Sequence, residues 1–120
     1  LSLVILAARA YGRAVVDGIT SDFKNMHSFE YACRLGRDMG FDGKSLVHPA
    51  QIAYSNDAYT PQTNEVKDAR TIIQALREAN AAGKGTVVVN DKLVERHHVR
   101  AAERLIRLSE MIAALEKNSE

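Results

Sequence analysis

Three side chains that can transfer protons or form hydrogen bonds follow short apolar segments of the chain. His48 follows residues 41–47, Asp17 follows residues 14–16, and Glu95 stands at the end of a third short segment. A neutral imidazole can donate or accept a hydrogen bond, and a carboxylate can act as an acid, a base or a binding group. Because binding groups collect where parallel strands end, His48 and Asp17 are candidates for one pocket.

Each of these three residues also has a purely structural explanation. His48 can cap the helix that Pro49 starts, since proline has a backbone angle suited to the first helical turn. Asp17 can form an Asx turn with the loop that follows it. Glu95 can stabilise a helix N-terminus by about 0.3–1 kcal/mol through the helix dipole. The pattern leaves His48 open between its two roles and favours the structural role for Asp17 and Glu95.

Other chemically suggestive groups are explained by ordinary structure. His97 and His98 are adjacent and would point in different directions on a helix, whereas metal-binding histidines on a helix stand three or four residues apart. Cys33 is expected to be a buried small hydrophobic residue. The segment Gly83-Lys84-Gly85 precedes a predicted strand rather than a helix, which is the wrong order for a phosphate-binding loop.

The elements that would position these residues alternate between helix and strand in the first half of the chain. The periodicity predicts a helix ending near residue 12, a strand at 14–16, a helix at 26–39, a strand at 41–47 and a helix from residue 50 to about 58. Leu3, Leu6, Ala7 and Ala10 fall on one face of the first helix. This order predicts parallel strands joined by helices.

The second half is predicted to be a helix, a hairpin and a second helix. The helix should begin with Thr60 as its N-cap and Pro61 at its first position. Strands are expected at residues 86–89 and 92–95, turned by Asn90-Asp91, with a last helix at 97–116. The fold class is therefore α/β: residues 1–60 as the last βα units of a (β/α)₈ barrel, and residues 61–120 as a helix–hairpin–helix extension.

Composition narrows the class of protein. The chain has 120 residues and a formal net charge of +1, from 16 Lys and Arg against 15 Asp and Glu, which gives no reason to expect nucleic acid or an acidic membrane as a partner. No apolar run reaches the roughly 18 residues of a membrane span. The single cysteine favours a reducing, cytoplasmic setting. Because the sequence begins inside an amphipathic pattern, we expect it to be the carboxyl-terminal part of a longer protein.

Several blocks of sequence, taken in order, resemble the carboxyl-terminal part of the citrate lyase β-subunit-like family, which includes malyl-CoA lyases and belongs to the HpcH/HpaI aldolase superfamily. The blocks are residues 7–10 with 16–18, residues 39–52, Pro61 with Glu65-Val66, residues 83–85, and residues 90–95. They extend over essentially the whole chain, and the block ending in His48-Pro49-Ala50-Gln51 is quite specific.

The resemblance implies a (β/α)₈ barrel with a carboxyl-terminal extension, assembled as a homotrimer or hexamer. It also implies an enzyme that cleaves or forms carbon–carbon bonds in a 3-hydroxyacyl thioester of coenzyme A or of a carrier protein, such as a citryl- or malyl-CoA-like substrate. Mg²⁺ would act as a Lewis acid on a substrate carbonyl. A thioesterase of the same family and a non-catalytic oligomerisation segment are the alternatives.

The same resemblance assigns roles to individual residues. It implies that Val47 and His48 line the acyl-CoA pocket, with Asp17 at the same strand ends. It implies that Glu95 is the acid/base residue contributed across a subunit interface, where the malyl-CoA lyase branch commonly has Asp. The family's Mg²⁺-binding Glu and Asp and its substrate-binding Arg lie in earlier strands. The metal ligands are therefore expected upstream, and these 120 residues alone are expected to be inactive.

Overall fold

The computed structural model describes residues 1–22 and 24–119, which form two compact units divided between Thr60 and Pro61. The described residues are mostly helical, with two small two-stranded sheets. The elements in chain order are α1 (Ser2–Ala10), β1 (Val16–Asp17), α2 (Met26–Met39), β2 (Gly43–Lys44), a 3₁₀ turn (Pro49–Gln51), α3 (Ile52–Tyr59), α4 (Thr63–Ala81), β3 (Val87–Val89), β4 (Lys92–Val94) and α5 (Arg96–Asn118).

The strands of the first unit form a parallel pair connected through α2. Val16 lies opposite Gly43, and Asp17 lies opposite Lys44. The bond from Ser45 N–H to Asp17 O, at 3.0 Å, carries the pairing one step further. Two neighbouring parallel strands joined by a helix are the unit from which α/β sheets are built.

Both strands are shorter than predicted, since β1 begins at Val16 and β2 covers two residues instead of 41–47. The reason is that other groups take the backbone donors at both ends of the predicted strand. Phe41 N–H donates to Gly36 O at the end of α2, and Val47 N–H donates to the Gln51 side chain. Only the middle of the predicted strand therefore pairs with β1, and the residues on each side of it are hydrogen-bonded to other parts of the first unit.

The helix α2 has the bounds that its sequence predicts, because both ends carry local signals. Asn25 Oδ1 accepts the Ser28 N–H at 3.1 Å and caps the first turn. Gly40 ends the helix in the left-handed region, with φ of 106°, which a side chain would disfavour. Phe29 and Cys33 on its buried face pack with residues of α3 and the segment after β2, namely Ala58, Tyr59 and Leu46.

The helix α1 is held to the rest of the first unit by a charged contact. Ile5 is its buried residue, whereas Leu3 and Leu6 are 79 % and 65 % exposed. Arg9 places its two guanidinium nitrogens 2.8 and 2.9 Å from the carboxylate oxygens of Asp42, just before β2. The same carboxylate accepts the N–H of Val15, which precedes β1.

The second unit consists of α4, the antiparallel pair β3–β4 and α5. Asn90 and Asp91 connect the strands with φ of 50° and 63°, the left-handed conformation that asparagine and aspartate tolerate in tight turns. The helices α4 and α5 pack together, and the buried residues of the unit are Pro61, Ala69, Leu76, Ala79, Val94 and Ala102.

The start of α4 differs from the prediction by two residues. Thr60 ends α3, and its hydroxyl donates to Asn56 O, so it does not cap the following helix. The N-cap of α4 is Gln62, whose N–H donates to Glu65 Oε2 at 2.8 Å. A carboxylate three residues into a helix is a common partner of the N-cap backbone. Within the described residues, none of the helices has the length and apolar character needed to cross a membrane.

Candidate functional site

A buried ion pair lies at the end of the parallel strands. Lys44 Nζ is 3.2 Å from Asp17 Oδ2, and the Lys44 side chain is 3 % exposed. The other carboxylate oxygen of Asp17 accepts the Gly18 N–H at 2.8 Å, one residue on, whereas the Asx turn considered from the sequence would take the N–H two residues on. Asp17 itself lies in β1 rather than in the loop. Both of its oxygens are therefore committed to contacts inside the first unit.

Lys44 is a residue that the sequence interpretation missed. Its Nζ also donates to Gly18 O at 2.7 Å, so it binds both the strand end and the first residue after it. A lysine in the middle of an apolar segment expected to be buried was the available signal, because buried lysines need partners.

Tyr59 and Cys33 border this ion pair. The Tyr59 hydroxyl is buried and has no hydrogen-bond partner among the described residues. Its burial, together with the nearby negative charge of Asp17, raises the pKa of Tyr59 to about 12. Burial also raises the pKa of the Cys33 thiol, an effect that the positive charge of Lys44 partly offsets. We call Asp17, Lys44, Tyr59 and Cys33 the buried polar cluster at the end of β1.

His48 follows β2 and caps the 3₁₀ turn that Pro49 begins. Its Nδ1 accepts the Ala50 N–H at 3.1 Å, so the capping role considered from the sequence is present in the structure. An accepting Nδ1 implies a neutral ring that carries its proton on Nε2. His48 is exposed, and Val47 before it is 48 % exposed. The ring therefore lies at the surface of the first unit.

Gln51 is the second residue that the sequence interpretation missed. Its side chain is fully buried, which is unusual for glutamine. The amide Nε2 donates to Thr20 O at 2.9 Å, and Oε1 accepts the Val47 N–H at 2.9 Å. The available signal was its place in the His48-Pro49-Ala50-Gln51 block, one turn after His48.

Glu95 lies in the second unit, at the N-cap position of α5, which matches the structural role considered for it. Its N–H donates to His98 Nδ1 at 3.0 Å. Its Oε2 is 3.6 Å from His97 Nδ1, and its side chain is 46 % exposed. Asp17, Val47 and His48 belong to the first unit, whereas Glu95 belongs to the other.

The described residues do not supply a set of metal ligands. Residues 1–22 and 24–119 contain no group of three or more His, Cys, Asp or Glu side chains placed to hold an ion. The rings of His97 and His98 lie 4.0 Å apart between centroids, tilted against each other. The Mg²⁺ that the resemblance implies therefore does not fit a site made from these residues.

The chain is similar to characterised enzymes along nearly its whole length, although no protein-family model matches it. It is 43 % identical over 114 residues to a (3S)-malyl-CoA thioesterase of Cereibacter sphaeroides. The aligned residues cover 95 % of the chain and 40 % of that enzyme. It is 35 % identical over 111 residues to an L-malyl-CoA/β-methylmalyl-CoA lyase of the same species, covering 92 % of the chain and 35 % of the lyase. The chain thus spans about two fifths of the length of the curated relatives it matches.

Solved structures give a consistent result for the fold. The CitE protein of Mycobacterium tuberculosis, crystallised with magnesium, acetoacetate and coenzyme A, superposes with a TM-score of 0.75 at 27 % identity, over 91 % of the chain and 39 % of CitE. A citrate lyase from Burkholderia xenovorans superposes with a TM-score of 0.74 at 22 % identity, over 92 % of the chain and 34 % of that protein. The chain belongs to the citrate lyase β-subunit-like family, together with the malyl-CoA thioesterases and malyl-CoA lyases.

Proposed function

We propose that the intact protein is an enzyme that hydrolyses a 3-hydroxyacyl-CoA thioester of the malyl-CoA type. The observation that carries this proposal is the 43 % identity to malyl-CoA thioesterases over 95 % of the chain. Identity to the malyl-CoA lyases is lower, at 35 % over a similar stretch. The higher identity to the thioesterases favours hydrolysis. Carbon–carbon cleavage is the reaction that the sequence alone predicts.

Carbon–carbon cleavage of the same substrate is the second candidate. It is supported by the lyase relatives, which match 92 % of the chain. In that reaction the bond between the hydroxyl-bearing carbon and the methylene carbon breaks, giving an aldehyde and a thioester enolate. The hydroxyl loses its proton and the enolate carbon gains one, so a single acid/base residue can serve both steps.

Glu95 is our proposed acid/base residue. In hydrolysis it would take a proton from water as the water oxygen adds to the thioester carbonyl, and return that proton to the coenzyme A thiolate when the C–S bond breaks. Its position supports this role, because the side chain is about half exposed at the start of α5.

In the first unit, His48 and Val47 are our proposed contacts for the acyl-CoA substrate. Both are exposed in the segment between β2 and α3, where a substrate can reach them. Asp17 is better suited to order the floor of the pocket than to bind substrate, because Lys44 and the Gly18 N–H already occupy its oxygens.

The CitE neighbour that contains magnesium and coenzyme A supports Mg²⁺ as the cofactor of the intact protein, with ligands outside the described residues. It would supply Lewis-acid polarisation of a carbonyl. We further propose a homotrimer or hexamer in which Glu95 acts across a subunit interface.

The test is a comparison of the intact wild-type protein with Glu95→Gln on malyl-CoA in the presence of Mg²⁺. General acid–base residues typically contribute about 10²- to 10⁴-fold, so we expect kcat to fall by at least about a hundredfold while KM changes little. Glu103→Gln, an exposed glutamate on the same helix, is the matched control and should retain the wild-type rate. Unchanged turnover in Glu95→Gln would remove Glu95 from the mechanism.

Product analysis separates the candidates. Malate and free coenzyme A identify hydrolysis, whereas glyoxylate and acetyl-CoA identify cleavage. A wild-type protein that yields neither pair of products would favour the non-catalytic oligomerisation segment. Mixed oligomers of Glu95→Ala and a variant without its metal-binding carboxylates should regain part of the activity if Glu95 acts in a neighbouring subunit.

A further inference from the structure

The Gln51 side chain continues the pairing of β1 and β2 beyond the end of their backbone ladder. The ladder runs to the bond from Ser45 N–H to Asp17 O at 3.0 Å. Gln51 then joins Thr20 O and Val47 N–H, which lie three residues after Asp17 and two residues after Ser45. One amide therefore bridges the two segments that leave the strands.

The bridge depends on both ends of the amide. The Nε2 end is a donor to the Thr20 carbonyl, and the Oε1 end is an acceptor for the Val47 N–H. An ionised glutamate could accept from Val47 but could not donate to Thr20, and methionine of similar length could do neither. The chemistry of this position thus requires a side chain that donates at one end and accepts at the other.

Lys44, a second buried side chain, binds residues 18–20 from β2. Lys44 Nζ donates to Gly18 O at 2.7 Å, two residues before the carbonyl that Gln51 binds. Residues 18–20 are therefore attached to the β2 side at both ends, although they form no strand themselves. The exposed residues Val47 and His48 lie at the other end of the Gln51 bridge.

We infer that Gln51 is a positioning residue: it fixes the distance between residues 18–20 and the Val47-His48 segment, and so sets the shape of the acyl-CoA pocket. This inference rests on the proposed function, because it assumes that these two segments line that pocket. Gln51 does not contact substrate; it acts through the backbone of Val47. Loosening the bridge should weaken substrate binding more than it slows the chemical step.

The test compares Gln51→Met and Gln51→Glu in the intact protein, with Gln74→Met as matched control. Gln74 is exposed on α4 and bonds Glu78, so the same substitution there should change neither KM nor kcat. For both Gln51 variants we expect KM for malyl-CoA to rise by roughly tenfold or more, because small displacements of substrate-positioning groups are costly. We expect kcat to fall less than KM rises.

Amide hydrogen exchange of Val47 supplies a readout that does not depend on activity. It should speed up in Gln51→Met, which lacks an acceptor, and stay close to wild type in Gln51→Glu, which keeps one. Wild-type KM in both folded variants would overturn the inference, and so would failure of both to fold, since Gln51 would then be a purely structural residue. A wild-type protein without activity on malyl-CoA would instead refute the proposed function.

Discussion

Lys44 and Asp17 lie directly opposite each other in the parallel pair β1–β2, and their side chains form an ion pair with Nζ 3.2 Å from Oδ2. The lysine side chain is 3 % exposed and the aspartate side chain 20 % exposed, so the pair is largely removed from solvent. A shift of the strands by one residue would separate these charges and bury them unpaired. The pair therefore specifies the register of a ladder that is itself very short.

Removing one charge of this pair should destabilise the protein strongly. In Lys44→Met the Asp17 carboxylate and the Gly18 carbonyl lose a shared partner, and breaking a buried pair typically costs about 3–5 kcal/mol. Because Asp17 keeps some exposure, we expect the lower end of that range in the free energy of unfolding, measured by urea denaturation. Lys92→Met, at an exposed position of β4, should change it little.

The free energy of unfolding of the double variant Lys44→Met/Asp17→Leu separates two explanations. One is the cost of leaving a buried charge unpaired, and the other is a net stabilisation by the ion pair. If the orphaned charge dominates, the double variant should be more stable than Lys44→Met alone. A double variant that loses the sum of the two single effects would contradict this explanation.

Tyr59 should make the stability depend on pH in the alkaline range. Its pKa is about 12 in the folded protein, against about 10 for an ordinary tyrosine. Below pH 10 the hydroxyl of Tyr59 keeps its proton in both the folded and the unfolded state, so its contribution to the free energy of unfolding is complete. As pH rises from 10 to 12 the unfolded state ionises first, so stability falls across that window.

Ultraviolet titration of the tyrosinate band, with unfolding measured at each pH, tests this prediction. Tyr59→Phe should lack the highest-pH absorbance step and lose less stability between pH 10 and 12. Tyr31→Phe removes a hydroxyl from a residue that is 69 % exposed and should leave that step in place. A Tyr59→Phe protein with the wild-type pH dependence would show that another group is responsible.

Gly36 is a contact point between α2 and the buried polar cluster. A methyl group at this position would lie 2.5 Å from the Tyr59 hydroxyl oxygen and 3.0 Å from Asp17 Oδ2. Alanine gains helix propensity of about 1 kcal/mol over glycine, but overpacking typically costs about 1–3 kcal/mol. We therefore expect Gly36→Ala to lower the melting temperature.

Tyr59→Phe supplies the matched rescue, because it deletes the nearest colliding atom. Gly36→Ala/Tyr59→Phe should recover part of the melting temperature that Gly36→Ala loses. The aspartate oxygen remains close, so recovery should be incomplete. If the effects of the two substitutions on the melting temperature were additive in a double-mutant cycle, the contact between Gly36 and Tyr59 would not explain the loss of stability in Gly36→Ala.

Local signals in the sequence predict helices well in this chain and strand lengths poorly. The bounds of α2 follow from Asn25 and Gly40, which act on their own helix ends. The ends of β2 depend on Gln51 and on the closing turn of α2, neither of which a pattern of apolar residues contains. Similarly, Thr60 is a good N-cap by type, yet its hydroxyl is used by the preceding helix.

The same distinction applies to the candidate site. The types and places of His48, Asp17 and Glu95 could be read from strand ends and from the family resemblance, although their roles stay predictions. Lys44 and Gln51 were missed because their partners Gly18 and Thr20 are 26 and 31 residues away in sequence. Pairings over such distances arise only when β1 and β2 come together.

The contact between Arg9 and Asp42 has a consequence for how the first unit opens. The carboxylate of Asp42 holds the Arg9 side chain and the Val15 N–H together, and Arg9 also binds Gly40 O at 2.7 Å. Local opening of α1 would therefore break contacts at the end of α2 and before β1. Native-state amide exchange should find the amides of α1, α2 and β1–β2 opening together, as one cooperative subdomain.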